Sequence, residues 1–391
     1  MGFHVESWVD SDLLSNLRPE DDRRQRMRIH YLINGLNGGG AAFPVIDVIK
    51  LMRDCGHQVQ MLALMPQDRR AIPRLEQAGI DCEIIGDGPG DIFKSGAKLI
   101  ARLRRDRPDL LWTSLTRATI YGQLAGRLLG IPVVSWQHNA FLKAHNRAIL
   151  RRSRALTLRW VADSVAVKRF AELELGIAAD LVDIWPLFIA HLDVPQVAGW
   201  RGNGRFRIGS LGRLHPNKQY DVLIRAAARV RELDAALSQQ LEFVVAGAGP
   251  ERAALDTLAA ELGVDNLKFV GFREQPRQFL GELHAYIQPS RNEGLCLAAH
   301  EAMQAALPVI ATSVGELAHS IVDGETGLLC GVGDVEALAQ AILTLVRDPQ
   351  RAAQMGQAAR ARVIARFGED QFSTKGRAIL QRIEREISAR R

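Results

Sequence analysis

The chain has 391 residues, of which 47% are hydrophobic, and it carries a formal net charge of +6. This length and composition allow a large buried core and predict two domains, or three. No apolar run approaches the roughly 18 to 20 residues that a membrane-spanning helix needs, and residues 1–20 lack the basic-then-apolar order of a signal peptide. We therefore expect a cytoplasmic protein.

Short β-branched runs alternate with longer helical patterns along most of the chain. In the first half the runs are MRIHYLI, HQVQMLALM, CEIIG, DLLWTSL and PVVSWQH. After an irregular stretch at 182–204 the second half has FRIGSL, LEFVVAG, LKFVGF, AYIQPS, PVIAT and GLLC. Such alternation predicts parallel βαβ units. The fold class is therefore α/β, with two Rossmann-like parallel-sheet domains that face each other across a cleft.

The irregular stretch near the midpoint predicts the domain boundary. We expect an N-terminal extension at 1–26, an N-terminal domain at 27–199 and a C-terminal domain at 200–369. A last helix at 370–391 can pack across either domain. Open α/β sheets bind ligands beyond the carboxyl ends of their strands, so candidate site residues should follow the strands directly.

Four cysteines, Cys55, Cys82, Cys296 and Cys330, are widely spaced and form no CxxC pair. Neither a zinc site nor a disulfide framework is indicated by this spacing. We expect the cysteines to behave as small buried hydrophobes.

The first candidate motif is GRLHPNK, which follows the run FRIGSL. A flexible Gly212 lets the backbone approach a ligand, while Arg213 offers a planar guanidinium with paired N–H donors and Lys218 offers a compact ammonium charge. This pair suits the two phosphates of a diphosphate. A solvated basic turn is the alternative, because Arg and Lys are mostly exposed.

Two further strand ends carry candidate ligand contacts. The segment VVAGAGPE places Gly247 and Gly249 after a buried strand, but Arg252 stands at the third glycine of the dinucleotide fingerprint, which disfavours NAD. The two glycines fit a tight turn near a nucleotide or turn geometry alone. In FVGFREQ, Phe272 and Arg273 lie at the same rim, where Phe272 can contact a base or belong to the core.

The segment SRNEGLCLAAHEAM separates two glutamates, Glu293 and Glu301, by eight residues. Eight helical residues span about 12 Å, which exceeds the roughly 5 to 9.5 Å between the paired carboxylates of glycoside hydrolases. The pair fits two separated hydroxyl-bearing parts of one ligand better. Between them, the free backbone N–H groups of residues 294–297 form a helix N-terminus that attracts phosphate. Glu301 lies on a largely apolar helix, so a ligand or partner is expected for it.

This combination of motifs resembles the retaining glycosyltransferases of family 4 (glycosyltransferase group 1), which have the GT-B fold. The quoted Glu-x7-Glu segment and the Gly-Arg-x4-Lys motif carry the resemblance. LNGGGAA is similar to the glycine loop of that family, VVSWQHN to its acceptor-domain histidine segment, and IVDGETGLL to its late C-terminal block. The resemblance extends over most of the chain.

The resemblance implies an enzyme of the EC 2.4 class that binds a nucleotide-diphosphate sugar, a UDP- or GDP-sugar, on the C-terminal domain. Arg213 and Lys218 would neutralise the diphosphate, Glu293 would hold sugar hydroxyls and Glu301 the ribose. His138 would face the transferred sugar across the cleft, or it is a satisfied structural histidine. The remaining donor contacts would be Gly39, Gly40, Gly212, Gly247, Phe272, Arg273, Gly294, Leu295, Cys296 and Leu297.

Five positions depart from the pattern of that family, two of which, Leu187 and Phe188, replace a frequent Asn-Gly turn at the domain junction. Ala42 stands where the glycine loop continues into an acidic residue. After PVIAT, Glu316 replaces the second glycine of a usual pair, and His319 replaces the glutamate that follows it. These departures leave the diphosphate motif intact, and they bear on the identity of donor sugar and acceptor.

No cofactor and no metal are expected. The only Asp-x-Asp triplet is Asp10-Ser11-Asp12, which lies in the unpatterned extension. Fixed positive charge from Arg213, Lys218 and the helix N-terminus can stabilise the leaving diphosphate instead. Retention of configuration is implied by the resemblance alone.

Charge is concentrated in one part of the N-terminal half. Residues 101–160 contain twelve Lys/Arg and two Asp/Glu, hence +10, while the other 331 residues sum to −4. Lys143, Arg147 and Arg151 recur at four-residue spacing beside Leu142 and Leu150. This stretch can dock at an anionic membrane surface, bind an anionic acceptor or form a solvated helix face. The acceptor would be a glycan, a lipid-linked sugar or a small molecule.

Two rival functions remain open on the sequence alone. A nucleotide-sugar epimerase or hydrolase on the same scaffold would consume donor without acceptor. A non-catalytic binding protein for nucleotide sugar or nucleic acid is the other class. Single-strand nucleic-acid binding is disfavoured because aromatic residues make up only 6% of the chain.

Overall fold

The computed structural model describes residues 26–36, 43–88 and 90–391. Within them, seven strands form a first parallel sheet in the order β3-β2-β1-β4-β5-β6-β7. The strands are β1 (Arg28–Gly35), β2 (Gln58–Met65), β3 (Cys82–Ile84), β4 (Leu110–Ser114), β5 (Val133–Gln137), β6 (Arg159–Ala162) and β7 (Val182–Ile184). The helices between them are α1 (Val45–Asp54), α2 (Ile72–Gln77), α3 (Ile92–Asp106), α4 (Thr116–Leu129), α5 (Ala144–Ser153) and α6 (Val165–Leu175).

Six strands form a second parallel sheet in the order β10-β9-β8-β11-β12-β13. They are β8 (Phe206–Leu211), β9 (Leu241–Ala246), β10 (Leu267–Gly271), β11 (Ala285–Gln288), β12 (Val309–Thr312) and β13 (Leu328–Cys330). Their helices are α7 (Tyr220–Leu233), α8 (Ala235–Gln239), α9 (Arg252–Glu261), α10 (Pro276–Gly281), α11 (Leu297–Gln304), α12 (Leu317–Ser320), α13 (Val335–Arg347), α14 (Pro349–Phe367) and α15 (Glu369–Ser388). The predicted pair of parallel-sheet α/β domains is confirmed.

Every β-branched run singled out in the sequence forms a strand. The sequence did not indicate β6 and β7, which have four and three residues. Length alone does not explain this, because β3 and β13 also have three residues and were indicated. β6 begins at Arg159, at the end of the basic stretch, and β7 lies at the start of the irregular stretch. The domain boundary near residue 200 remains a prediction.

Tryptophan packing fills the centre of the first domain. Trp136 stacks on Trp185 with ring centroids 5.0 Å apart, and Trp112 meets both edge-on. All three side chains are fully buried. Phe372, from the last helix, lies 5.2 Å from Trp185, so this core is completed by the end of the chain.

The last helix, α15, packs on the first domain. Phe372, Ile379, Leu380, Ile383 and Ile387 are all buried in the same hydrophobic cluster as β1 and α1. The chain crosses between the domains where Ala190 donates a backbone hydrogen bond to the carbonyl of Phe367 at 2.7 Å. The two domains are therefore joined by two chain segments.

Three of the four cysteines are buried, Cys82 is partly exposed, and all four are free thiols. No helix of the described residues is both long and apolar enough to cross a bilayer. Leu142 and Leu150, noted beside the basic residues, are buried in a core cluster with Trp160.

Candidate active site

The carboxyl ends of β8 and β11 meet at an ion pair. Nζ of Lys218 donates to Oε1 of Glu293 at 2.7 Å. Both side chains are largely shielded from solvent, with 21% and 10% of their surface exposed. The two motifs GRLHPNK and SRNEG, whose paired residues are 75 positions apart, are therefore parts of one site.

Two more side chains hold the same carboxylate. Ser290 donates to Oε1 of Glu293 at 2.6 Å, and Nε2 of Gln288 donates to it at 3.2 Å. The hydroxyl of Tyr286 in turn donates to Oε1 of Gln288 at 2.7 Å. These residues alternate along β11 and its end, so the strand itself fixes the direction of Glu293.

Backbone contacts join the two loops as well. The side-chain amide of Asn217 donates to the carbonyl of Asn292 at 2.7 Å, and the N–H of Arg291 donates to the carbonyl of Asn217 at 2.8 Å. Lys218 ends a short 3-10 turn that begins at Pro216. This bracing holds the ammonium group of Lys218 in one place without a ligand.

The pKa of Lys218 is raised, which keeps the amine protonated. Burial by itself disfavours the charged form, but the carboxylate of Glu293, together with Cys296 and Tyr220, outweighs that effect. Burial and the charge of Glu293 also raise the pKa of the Cys296 thiol. The cation at the site is therefore permanent at any pH near neutral, and the thiol is not a nucleophile there.

The glycines of the site permit close backbone packing. Gly247 has a φ of +150°, and a Cβ there would lie 1.8 Å from the carbonyl oxygen of Gly212. Gly249 packs as closely on the carbonyl of Leu214. The loops after β8 and β9 thus lie in direct contact, which brings the backbone of Gly212 and Gly247 to one edge of the sheet.

The helix after Glu293 begins later than the sequence suggested. Its first residue is Leu297, and Cys296 precedes it with a left-handed backbone at φ +62°. Glu301 is therefore the fifth helical residue, about one turn inside the helix. Gly294, Leu295 and Cys296 form a buried turn between Glu293 and the helix.

Glu301 carries a half-buried carboxylate. It forms no hydrogen bond or ion pair with any residue that the structure describes, although Arg277 and Arg74 lie near enough to affect it. Burial raises the pKa of Glu301 to about 7, and the two arginines lower it less than burial raises it. A desolvated carboxylate without a partner indicates a place for a ligand hydroxyl.

The loop after β10 forms the rim beside Glu301. Phe272 is 40% exposed, so it is not a core residue, and the guanidinium of Arg70 lies 4.4 Å from its ring centroid. Arg273 is exposed as well. Arg74 donates to the carbonyl of Glu274 at 3.2 Å, so the first domain contacts this loop directly.

His138 follows β5 and is buried. Its Nδ1 lies 2.9 Å from Oδ2 of Asp163, and its Nε2 lies 2.7 Å from the hydroxyl of Ser114. The ring stacks on Trp136 at 5.6 Å. Both ring nitrogens therefore have partners, and it is the backbone of His138 that approaches the second domain: a Cβ on Gly294 would lie 2.0 Å from its carbonyl oxygen.

The other predicted residues are placed as follows. Arg213 is exposed and has no hydrogen-bond or ion-pair partner among the described residues. Gly39 and Gly40 lie outside the described residues. Sequence reasoning missed Ser290, Gln288 and Asp163. The alternation of polar residues along AYIQPS could have indicated the first two, whereas nothing local marks Asp163 as a partner of His138.

Two family models match the chain. "Glycosyl transferases group 1" matches residues 200–362, and "Glycosyltransferase Family 4" matches residues 38–191. The two matches together cover most of both domains.

Similar proteins agree with these models. The lipopolysaccharide core biosynthesis mannosyltransferase LpcC of Rhizobium leguminosarum bv. viciae is 34% identical over 173 residues, which is 42% of this chain and 47% of that protein. A D-inositol 3-phosphate glycosyltransferase of Stackebrandtia nassauensis is 37% identical over 163 residues, 39% and 36% of the two chains. The chain thus spans less than half the length of either relative.

A solved structure matches over nearly the whole fold. HepE of Anabaena, crystallised in complex with UDP-glucose, superposes with a TM-score of 0.79 at 22% identity, over 91% of this chain and all of that one. This likeness bears on the fold alone. With the family matches and the two facing parallel-sheet domains, it leads to one conclusion: the chain belongs to the glycosyltransferases of group 1, which have the GT-B fold.

Proposed function

We propose that this protein is a retaining glycosyltransferase that moves a sugar from a UDP- or GDP-sugar to an acceptor hydroxyl without a metal ion. The observation that carries the proposal is the buried pair of Lys218 and Glu293, 2.7 Å apart, beside the N-terminus of α11. A permanent cation, free helix N–H groups and a fixed carboxylate together match the parts of an activated sugar.

The leaving diphosphate would lie against Lys218, Arg213 and the N–H groups at the start of α11. Departure of a diphosphate builds negative charge on its oxygens, and fixed positive groups in a shielded site stabilise that charge. Arg213 is free to swing onto a phosphate because it has no partner among the described residues. The backbone of Gly212 and Gly247, packed one on the other, would border the phosphates and the adjacent ribose.

Glu293 would hold hydroxyls of the transferred sugar, and Glu301 would hold the ribose. The three donors on Glu293 all meet Oε1, and Oε2 takes no part in those bonds. Oε2 can therefore accept from a sugar hydroxyl without loss of the existing contacts. Phe272 and Arg273 lie at the rim where the base would follow the ribose.

The acceptor hydroxyl would enter between the domains, near His138. No carboxylate of the site stands as an evident covalent nucleophile, so we propose attack from the face of departure, with a leaving phosphate oxygen as the base. The side chain of His138 would serve to orient its own loop, because both ring nitrogens have protein partners.

The acceptor is proposed to be anionic or membrane-linked. On α5 and its flanks, Arg147, Arg151, Arg152 and Arg154 line an open cavity of about 510 Å³. Four exposed apolar side chains lie on α4, on α5 or just before α5: Leu124, Leu128, Phe141 and Ile149. Basic and apolar groups on two helices in contact with each other would suit an anionic bilayer, and the cavity would suit an anionic headgroup or acceptor phosphate. The protein would then act at the inner face of the membrane.

Liposome flotation tests that surface. We expect the protein to float with vesicles that contain about 30% phosphatidylserine and to stay behind with neutral vesicles. Ile149→Ser combined with Leu128→Ser should reduce flotation, whereas Leu192→Ser, which removes an exposed leucine elsewhere, should not. Equal flotation of the two variants would refute membrane docking.

A panel of nucleotide sugars tests the function itself. We expect one UDP- or GDP-sugar to raise the melting temperature, since a ligand of the folded state stabilises it. UDP-glucose is the first candidate, because HepE was crystallised with it. Product formation should then require an acceptor, and inositol phosphates and lipid-linked glycans are the first acceptors to test. Transfer should persist in EDTA, because no metal ion is needed. Donor consumption without acceptor would favour an epimerase or hydrolase. A rise in melting temperature without donor consumption would favour a binding protein.

A further inference from the structure

Glu316 lies where the second domain meets the first. Its side chain is 2% exposed, and its N–H donates to the carbonyl of Gly294 at 2.8 Å. Oε2 accepts from the backbone N–H of Val165, in the first domain, at 3.2 Å. Oε1 accepts from the guanidinium of Arg366 on α14. One residue thus contacts the turn beside Glu293 and a helix of the opposite domain.

The contact on the first domain is made at the start of a helix. Val165 is the first residue of α6, where backbone N–H groups are unpaired and the helix dipole is positive. A carboxylate at that point is favourable, and no described side chain of the first domain supplies it, because the Ser164 hydroxyl accepts from Val167 instead. Two residues before Val165 stands Asp163, whose two oxygens hold Nδ1 of His138.

The turn that carries Glu316 also packs closely against the backbone of its own domain. Gly315 has a φ of +57°, and a Cβ there would lie 2.4 Å from the carbonyl oxygen of Glu293. The turn that carries Glu316 is therefore packed on the backbone of the sugar-binding turn. The carbonyl of His138 lies against Gly294 on the other side of that turn.

We infer that Glu316 is a positioning residue that sets the distance between the donor turn, Glu293–Gly294, and the His138 loop of the acceptor domain. This inference rests on the proposed function, since it concerns the same site. Glu316 itself would touch neither donor nor acceptor. It acts through α6 and Asp163 on one side and through Gly294 on the other.

The charge on Glu316 serves this orientation. A buried carboxylate is costly unless it is paired, and Arg366 supplies the pairing charge from the same domain. With Oε1 fixed by Arg366, Oε2 is aimed across the cleft at a single N–H group. If residue 316 did not pair with Arg366, the N–H of Val165 at the start of α6 would have no acceptor from the second domain.

The test compares Glu316→Ala, Glu316→Gln and, as a control, Glu325→Ala, which changes an exposed glutamate in the same part of the domain. Hydrogen exchange of the ligand-free protein gives a readout that needs no activity. In Glu316→Ala we expect exchange in the segment 163–169 to become at least tenfold faster. Glu316→Gln keeps one acceptor oxygen but loses the charge that pairs with Arg366, so its exchange should fall between that of the wild type and that of Glu316→Ala, whereas Glu325→Ala should remain close to wild type.

Kinetics separate positioning from a merely structural role. For Glu316→Ala we expect kcat for transfer to fall about tenfold, while the Kd for nucleoside diphosphate stays within twofold, because that ligand binds the second domain alone. Glu316→Gln should restore part of kcat, because one of the two acceptor oxygens is kept. Unchanged exchange and unchanged kcat would overturn the inference, and so would a parallel loss of kcat and nucleotide affinity. If the wild type shows no transfer, the proposed function fails, and hydrogen exchange still decides whether Glu316 joins the domains.

Discussion

Glu301 shows how burial sets the chemistry of a single residue. It lies on α11 without a hydrogen-bond partner among the described residues, and its pKa is raised to about 7 because burial disfavours the charged form. Near neutral pH the carboxyl is therefore partly protonated. Only the ionised form can accept a hydrogen bond from each ribose hydroxyl with both oxygens.

This pKa makes nucleotide binding depend on pH. If the ionised form binds the ribose, the Kd for the preferred nucleoside diphosphate should rise about tenfold from pH 8 to pH 6, as expected for one group with a pKa near 7. Glu301→Gln should remove that dependence. Calorimetric titration at pH 8 and pH 6 measures the Kd of the wild type and of Glu301→Gln. An equal change in Kd for the two proteins would exclude Glu301 from the ribose site.

The raised pKa of Glu301 also makes folding stability depend on pH, in the direction opposite to that of nucleotide binding. The pKa of Glu301 is higher in the folded protein than in the unfolded chain, so folding is favoured while both states are protonated and loses that contribution as pH rises through about 7. Glu301→Gln should therefore raise the melting temperature relative to wild type at pH 8 but not at pH 4.5. Scanning calorimetry at both values is the measurement.

Some residues of the site were predictable from the sequence, and others were not. Lys218 and Glu293 belong to motifs with recognisable spacing: residue type makes Lys218 suitable for a phosphate, and the family resemblance implies that Glu293 holds sugar hydroxyls. Ser290 and Gln288 acquire their role from the direction in which β11 ends. Asp163 and Glu316 contact His138 and Val165 only because separate elements pack together, and local patterns carry no information about such contacts.

At the scale of elements, the donor site depends on how closely its loops approach. The loops after β8 and β9 pack backbone on backbone, and Gly247 holds a φ of +150° that a side chain rarely adopts. Long strands such as β1 and β2 were evident from their alternation with helices. The start of α11 was not, because the left-handed Cys296 delays the helix by several residues.

Gly247→Ala tests this packing. The added Cβ would lie 1.8 Å from the carbonyl oxygen of Gly212, a backbone atom that cannot rotate away. We expect a loss of about 2–4 kcal/mol in the free energy of unfolding of the second domain, from the clash and the strained backbone. Urea denaturation gives the value.

Gly281→Ala is the matched control. Gly281 ends α10, a Cβ added there would have no atom within 4 Å, and its backbone does not require a positive φ. Alanine there should be neutral or stabilise by up to about 1 kcal/mol, because alanine favours helix. Equal effects of the two substitutions would show that the packing of Gly247 is unimportant.

At the scale of the whole molecule, α15 ties the end of the chain to the first domain. Asp183 on β7 is buried and accepts from Arg159 at 2.7 Å and from Arg382 of α15 at 2.8 Å. Glu386 of α15 accepts from Arg159 as well. The two domains are thus held by this helix, by the chain crossing near Ala190 and by the contacts at Glu316 and Arg74.

Asp183→Ala should weaken this connection. Removal of the Asp183 carboxylate leaves the buried Arg159 with only the more exposed Glu386 as a counter-charge, and loss of one partner costs about 3–5 kcal/mol in comparable buried pairs. We expect a clear fall in the melting temperature of the first domain by scanning calorimetry. Asp180→Ala is the control, since only the backbone carbonyl of Asp180 receives a hydrogen bond from Arg159; an equal fall there would contradict a specific role for the Asp183 carboxylate.

We propose that the second domain binds a nucleoside diphosphate through Lys218. Calorimetric titration of Lys218→Met with the preferred nucleoside diphosphate tests it most directly, with Lys268→Met as the control because Lys268 pairs with Glu242 on the neighbouring strand β9. We predict that the Kd rises at least tenfold for Lys218→Met, as expected for the loss of a charge-assisted contact of about 1.5–3 kcal/mol. Lys268→Met should bind as the wild type does. A Kd for Lys218→Met within twofold of the wild-type value would contradict the claim.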